Sequence, residues 1–184
     1  MEIPQIGLGT WQNTDSETCK NSVKNALDIG YRHIDTAQIY GNEESVGQGI
    51  SASKVDRSEI FLASKVWVDK LDSEGVVRST EESLRKLGVD YVDLMYVHWP
   101  SGNYRVGDTF EGFQELLDRG LIDRVGVSNF DVGLLREAEK HIEVYANQVE
   151  MHPLLPQKEL MQYCAANNIE LVAYSPLARG DVLE

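Results

Sequence analysis

Four side chains, far apart along this 184-residue chain, suggest proton-transfer chemistry: Asp35, Tyr40, Lys65 and His98. Three of them close short apolar runs, where a charge is costly unless it is paired. Together they suit the reduction of a carbonyl group. That reaction needs a proton for the developing alkoxide, and Tyr40 is a candidate acid. A free phenol titrates near about 10, high for work at neutral pH. An ammonium ~4 Å away attracts the phenolate by roughly 4 kcal/mol at an effective dielectric of ~20. Lys65 is therefore expected to lower the phenol by about one to three pKa units. Asp35 would keep Lys65 charged and aimed. His98 would hydrogen-bond the carbonyl oxygen and orient it. No side chain carries a hydride, so a cofactor must supply it. Taken singly, each residue has a plainer reading: a rim tyrosine, a structural ion pair, a core histidine with its bonds satisfied.

The elements that must position these groups are legible as an alternation. Apolar runs rich in Val, Ile, Leu and Tyr occupy residues 5–10, 33–37, 60–65, 92–98, 125–128, 145–149 and 171–175, as buried parallel strands should. Amphipathic stretches lie between them. One runs from a cap at Asp15 or Ser16 to Ile29, before Gly30. Others span residues 42–48 with Asn42 as cap, 73–87 before Gly88, 109–119 before Gly120, 132–140, and 157–167. The unit is βα, repeated every ~30 residues.

Two architectures use that unit: an open doubly wound sheet and a closed (β/α)8 barrel. The first turn reads Gly7-Leu8-Gly9-Thr10-Trp11 and lacks the third glycine of a dinucleotide-binding open sheet. Polar residues fall at the same end of six successive runs: Asp35, Lys65, His98, then Ser128 with Asn129, Gln148 with Glu150, and Tyr174 with Ser175. In a barrel those ends gather on the rim where such folds build their sites. The expectation is one α/β domain over residues 1–184, a TIM barrel represented by about seven strands.

Composition narrows the alternatives. A net charge of −13 and the lack of a basic cluster argue against nucleic-acid binding. No stretch approaches the ~20 apolar residues of a membrane span, and no secretory leader is recognisable at Met1–Trp11. Cys19 and Cys164 match no metal spacing and read as packed thiols of a reducing, cytoplasmic protein. His33, His98, His141 and His152 are too scattered for a metal-dependent hydrolase.

The segment Gly30-Tyr31-Arg32-His33-Ile34-Asp35-Thr36-Ala37, with Tyr40, Asn42, Glu43 and Gly47, resembles the first signature of the aldo-keto reductase family. Gly126-Val127-Ser128-Asn129-Phe130 resembles its mid-barrel signature. The blocks 61–65, 97–100, 147–150 and 174–177 follow in the family's order. The resemblance implies a barrel without a Gly-rich phosphate loop, NADPH as usual cofactor with NADH left open, and a small aldehyde or ketone as partner. It implies that Asp35, Tyr40, Lys65 and His98 form the catalytic set. It assigns Ser128, Asn129 and Gln148 to the nicotinamide carboxamide and Tyr174 to stacking on the nicotinamide. Ser175 and Leu177 would border the pyrophosphate. Trp11, Trp67 and Trp99 would line the substrate pocket, unless they are packing residues. A non-enzymatic nicotinamide-binding subunit on the same scaffold is the competing reading, and a monomer or weak oligomer is expected. The family's eighth strand, last helices and the basic segment for the adenosine 2′-phosphate have no counterpart in these residues. The expectation is therefore an incomplete barrel with two open strand edges.

Overall fold

The computed structural model describes residues 1–183. Seven strands form one parallel sheet in sequence order. They are β1 (Leu8–Gly9), β2 (His33–Asp35), β3 (Phe61–Val66), β4 (Leu94–Val97), β5 (Val125–Ser128), β6 (Ala146–Glu150) and β7 (Glu170–Tyr174). Six helices connect them: α1 (Ser16–Asp28), α2 (Glu43–Ala52), α3 (Ser73–Leu87), α4 (Val106–Asp118), α5 (Val132–Ala138) and α6 (Lys158–Ala166). The strictly sequential parallel order is that of a barrel and rules out the open doubly wound alternative, whose strand order reverses. Among the described residues β1 and β7 are not paired with each other.

Strand alternation builds two separate cores. Outward residues such as Leu62, Val66, Met95, Val97, Val125 and Val127 pack beneath the helices. Inward residues Phe61, Ala63, Leu94, Tyr96 and Ala146 pack inside the sheet's curl, against Ile3, Tyr145 and Val172. Because side chains repeat every second residue, each inward row continues toward the strand's C-terminal end. Phe61 and Ala63 lead to Lys65; Leu94 and Tyr96 lead to His98; Ala146 leads to Gln148; Val172 leads to Tyr174. The pattern that makes the core therefore also delivers polar side chains to one rim. On β5 the inward position is Gly126. A Cβ built there would lie 2.5 Å from the Tyr96 ring, so the missing side chain is what lets Tyr96 fill the space below Lys65.

Element bounds differ from the sequence expectation where loops compete. β1 keeps two residues. β2 stops at Asp35, and a single 3-10 turn, Gln38–Tyr40, follows almost at once. α2 runs four residues past Gln48, to Ala52, and α4 starts three residues before Thr109, at Val106. Asp15 caps α1 by accepting from the Thr18 N–H at 2.8 Å. Asn42 makes no such cap. It accepts from the Thr36 hydroxyl at 3.0 Å and donates to the carbonyls of Thr10 and Asn13 at 2.8 and 3.1 Å. It thus ties the loops after β1 and β2 together. No helix among the described residues is long and apolar enough to cross a membrane.

Gly126→Ala should push a methyl into the Tyr96 ring and cost about 1–3 kcal/mol, the usual penalty for overpacking. Urea unfolding measures it. An unchanged midpoint would mean that this contact does not shape the inner core.

Candidate active site

Lys65 is the deepest member of the site. Its side chain keeps 1% of its surface exposed and forms an ion pair with Asp35 Oδ1. The ammonium also donates to the Thr36 carbonyl at 2.9 Å. The other Asp35 oxygen accepts from Gln148 Nε2 at 2.8 Å. Both carboxylate oxygens are therefore engaged, which a buried pair needs if it is to be held in one geometry.

Tyr40, carried by the 3-10 turn, places its ring centroid 5.2 Å from the Lys65 ammonium. His98, at the end of the β4 row, stands between two rings. Tyr40 meets it edge-on at 5.7 Å between centroids, and Trp67 does so at 5.0 Å. Asp35, Tyr40, Lys65 and His98 thus converge from separate elements. Three of them line a cavity of about 1070 Å³, and Lys65 lies just beneath its wall.

The second half of the rim is a hydrogen-bonded arc. Tyr174 donates its hydroxyl proton to Asn129 Oδ1 at 2.9 Å. Asn129 Nδ2 donates to Ser128 Oγ at 3.0 Å and to the His98 carbonyl at 3.1 Å. Ser128 donates to the Gln148 carbonyl at 2.8 Å. Asn129 holds φ at 65°, a left-handed conformation that asparagine tolerates better than most residues. Ser128, Asn129, Gln148, Tyr174 and Ser175 all line the cavity. Leu177 is not among the lining residues and is 55% exposed. Trp11, Trp67 and Trp99 line the cavity, with Trp11 and Trp99 open to solvent on one side.

The electrostatics correct one expectation. The Tyr40 pKa is raised, not lowered. Burial is the largest cause, and the pull of Lys65 only partly offsets it, with Asp35 working against that pull. Tyr40 therefore holds its proton at neutral pH. His98 is driven down to about 3, first by burial and then by repulsion from Lys65. It is a neutral imidazole with one N–H to offer, and its Nδ1 is buried without a partner. A phenol that keeps its proton, beside a fixed ammonium and a neutral hydrogen-bond donor, can protonate an oxygen that gains negative charge.

Several participants escaped the sequence. The Gln148 amide binds Asp35, a pairing across 113 residues that no local pattern announces. Thr36 reaches Lys65 through its backbone carbonyl, which a sequence pattern does not mark. Arg179 lines the cavity and lies 5.5 Å above the Trp11 ring. A lone arginine after the Tyr174–Leu177 block was the available signal. Among the described residues no three His, Cys, Asp or Glu side chains gather to hold a metal.

The profile of the Aldo/keto reductase family matches residues 5–184. The chain belongs to this family. Glyoxal reductase of Bacillus subtilis is 45% identical over 186 residues, covering all of this chain and 67% of that protein. An aldo-keto reductase from a Medee basin deep-sea metagenome library superposes with a TM-score of 0.94 at 42% identity, over all of this chain and 68% of its own. The Bombyx mori aldo-keto reductase, solved in complex with NADP, gives 0.87 at 36% identity, over 94% of this chain and 62% of its own. This aldo-keto reductase chain spans about two thirds of the length of such relatives.

The His98 shift has a stability consequence. Its unfolded imidazole takes a proton near 6.5 and its folded one only near about 3. Between those values the unfolded state binds more protons, so stability rises with pH there. The contribution is complete above about 6.5 and is lost as pH falls toward 3. His98→Gln should therefore flatten the acid limb of unfolding free energy in that window. Parallel acid limbs for the two proteins would show that His98 is not buried as neutral imidazole.

Proposed function

We propose that this chain carries the active site of an NADPH-dependent reductase of small aldehydes or ketones, with NADH as an alternative donor. One observation carries the reading. A protonated phenol, a buried ammonium paired with a carboxylate, and a neutral imidazole meet at a single cavity wall. The nicotinamide, when bound, supplies the hydride; everything else falls to the chain's own residues.

The cavity suits such a cofactor by its donor set. Ser128, Asn129 and Gln148 present hydroxyl and amide groups, which match a carboxamide without requiring charge. The Tyr174 ring lies on the same lining and is the candidate stacking surface. Arg179 offers a cation at the lip of an otherwise acidic protein, where an anionic cofactor needs one. Ser175 shares that lining, and with the exposed Leu177 it would border the pyrophosphate.

In the proposed reaction His98 donates its N–H to the carbonyl oxygen and sets its angle to Tyr40. As negative charge grows on that oxygen, Tyr40 passes its phenolic proton to it. The resulting phenolate would be stabilised by Lys65, whose charge is fixed in place by Asp35. In alcohol oxidation the same phenolate accepts the proton back. Trp11, Trp67 and Trp99 would form the apolar walls around the carbonyl's substituents and exclude water from the transfer. The buried free thiols Cys19 and Cys164 suit a reducing, cytoplasmic setting.

Loss of NADPH absorbance with a reactive aldehyde tests the assignment. Tyr40→Phe should lower kcat by about 10²–10⁴-fold, the usual worth of a positioned general acid. Equal turnover by wild type and Tyr40→Phe would remove the phenol from the mechanism.

A further inference from the structure

Behind the site lies a second buried carboxylate that the mechanism above does not use. Glu43 opens α2 and is only 2% exposed. Its partners are hydroxyls rather than a cation. Ser64 of β3 donates to Oε1 at 2.7 Å, and Ser83 of α3 donates to Oε2 at 3.2 Å. Ser64 is the outward neighbour of Lys65, so Glu43 stands across the sheet from the cavity.

The chain of bonds continues beyond Ser83. Its hydroxyl oxygen accepts from Gln38 Nε2 at 3.2 Å, and Gln38 Oε1 accepts from the Trp67 backbone N–H at 3.1 Å. Every link has a forced direction. A backbone N–H can only donate, so the Gln38 carbonyl must face Trp67 and its amide must face Ser83. Ser83 then turns its own proton to Glu43, and only an acceptor can end the series. A carboxylate can accept from Ser83 and Ser64 together, one on each oxygen; an amide, with a single oxygen, can accept from only one of them.

The two ends of this series matter because of where they sit. Gln38 begins the 3-10 turn that ends in Tyr40. Trp67 lies two residues beyond Lys65 and packs edge-on against His98. The series thus clamps the turn that carries the phenol onto the segment that follows the ammonium. Of its members only Trp67 touches the cavity.

We propose that Glu43 is a positioning residue for this site, its carboxylate terminating a directed hydrogen-bond series through Ser83 and Gln38 that holds Tyr40 in register with Lys65 and His98. The inference rests on the carbonyl-reduction reading, but its structural half is testable without turnover. Glu43→Gln keeps the volume and turns one acceptor into a donor, which sets it against Ser64 or Ser83. It should speed hydrogen–deuterium exchange at the Trp67 amide and lower kcat about 10-fold or more, since small misplacements of reacting groups are costly. The dissociation constant for NADPH should stay within about twofold, because the cofactor's proposed contacts lie on the other half of the rim, at Ser128, Asn129, Gln148 and Tyr174. Gln38→Leu should reproduce both effects, and the double variant should be no worse than the more impaired single. Ser83→Ala interrupts the same series without touching the carboxylate, and it stands in if Glu43→Gln does not fold. Unchanged Trp67 exchange in these variants, or losses in kcat that multiply in the double variant, overturns the proposal. If the wild type shows no turnover with any aldehyde, the reductase reading fails while Trp67 exchange still decides whether the clamp exists.

Discussion

The buried pair of Lys65 and Asp35 is the constraint around which the rest of the site is arranged. An ammonium with almost no solvent contact is tolerable only when its charge is balanced and its protons are placed. Asp35 and the Thr36 carbonyl do this from β2 and the residue after it. Gln148 engages the remaining Asp35 oxygen from the opposite side of the curl. Removing either charged partner would strand the other in a water-poor interior. The pair therefore acts on the fold, drawing β2, β3 and β6 to one point. The arc from Tyr174 through Asn129 and Ser128 reaches that same point at Gln148, so the rim from β2 to β7 is a single connected set of bonds.

Much of this arrangement was legible because parallel strands repeat with a period of two. Once the runs 60–65 and 92–98 are recognised as strands, Lys65 and His98 must share a face with Phe61, Ala63, Leu94 and Tyr96. Side-chain choices with equally good local alternatives were less legible. Asn42 looks like a helix cap, because asparagine before an acidic first turn usually is one. In the fold, three acceptors and donors from neighbouring loops compete for it and win. Gln148 looks like a ligand contact, yet half of its amide is spent on Asp35. Neither outcome follows from spacing, since both depend on what lies beside the residue after the sheet curls.

The direction of the Tyr40 shift was misjudged for a related reason. Sequence reasoning could pair Tyr40 with Lys65 but could not weigh that attraction against dehydration. Burial penalises the phenolate whatever its neighbour, and the same Asp35 that holds Lys65 also repels a phenolate. The ammonium's pull is thus partly cancelled by its own counter-ion.

That cancellation bears on how such a site would operate. A phenol shifted strongly downward would ionise in the resting protein and have no proton to give. With burial dominant, the proton stays until an acceptor of comparable basicity develops beside it. In the proposed reaction Lys65 would then stabilise the phenolate as it forms, a benefit realised during transfer rather than before it. The neutral state of His98 fits the same logic. An imidazolium there would compete with Tyr40 as the acid and would sit unfavourably near Lys65, whereas neutral imidazole can orient an oxygen without doing either. In the proposed mechanism, burial and one fixed ammonium would be enough to divide the roles: the phenol would move the proton and the imidazole would direct it.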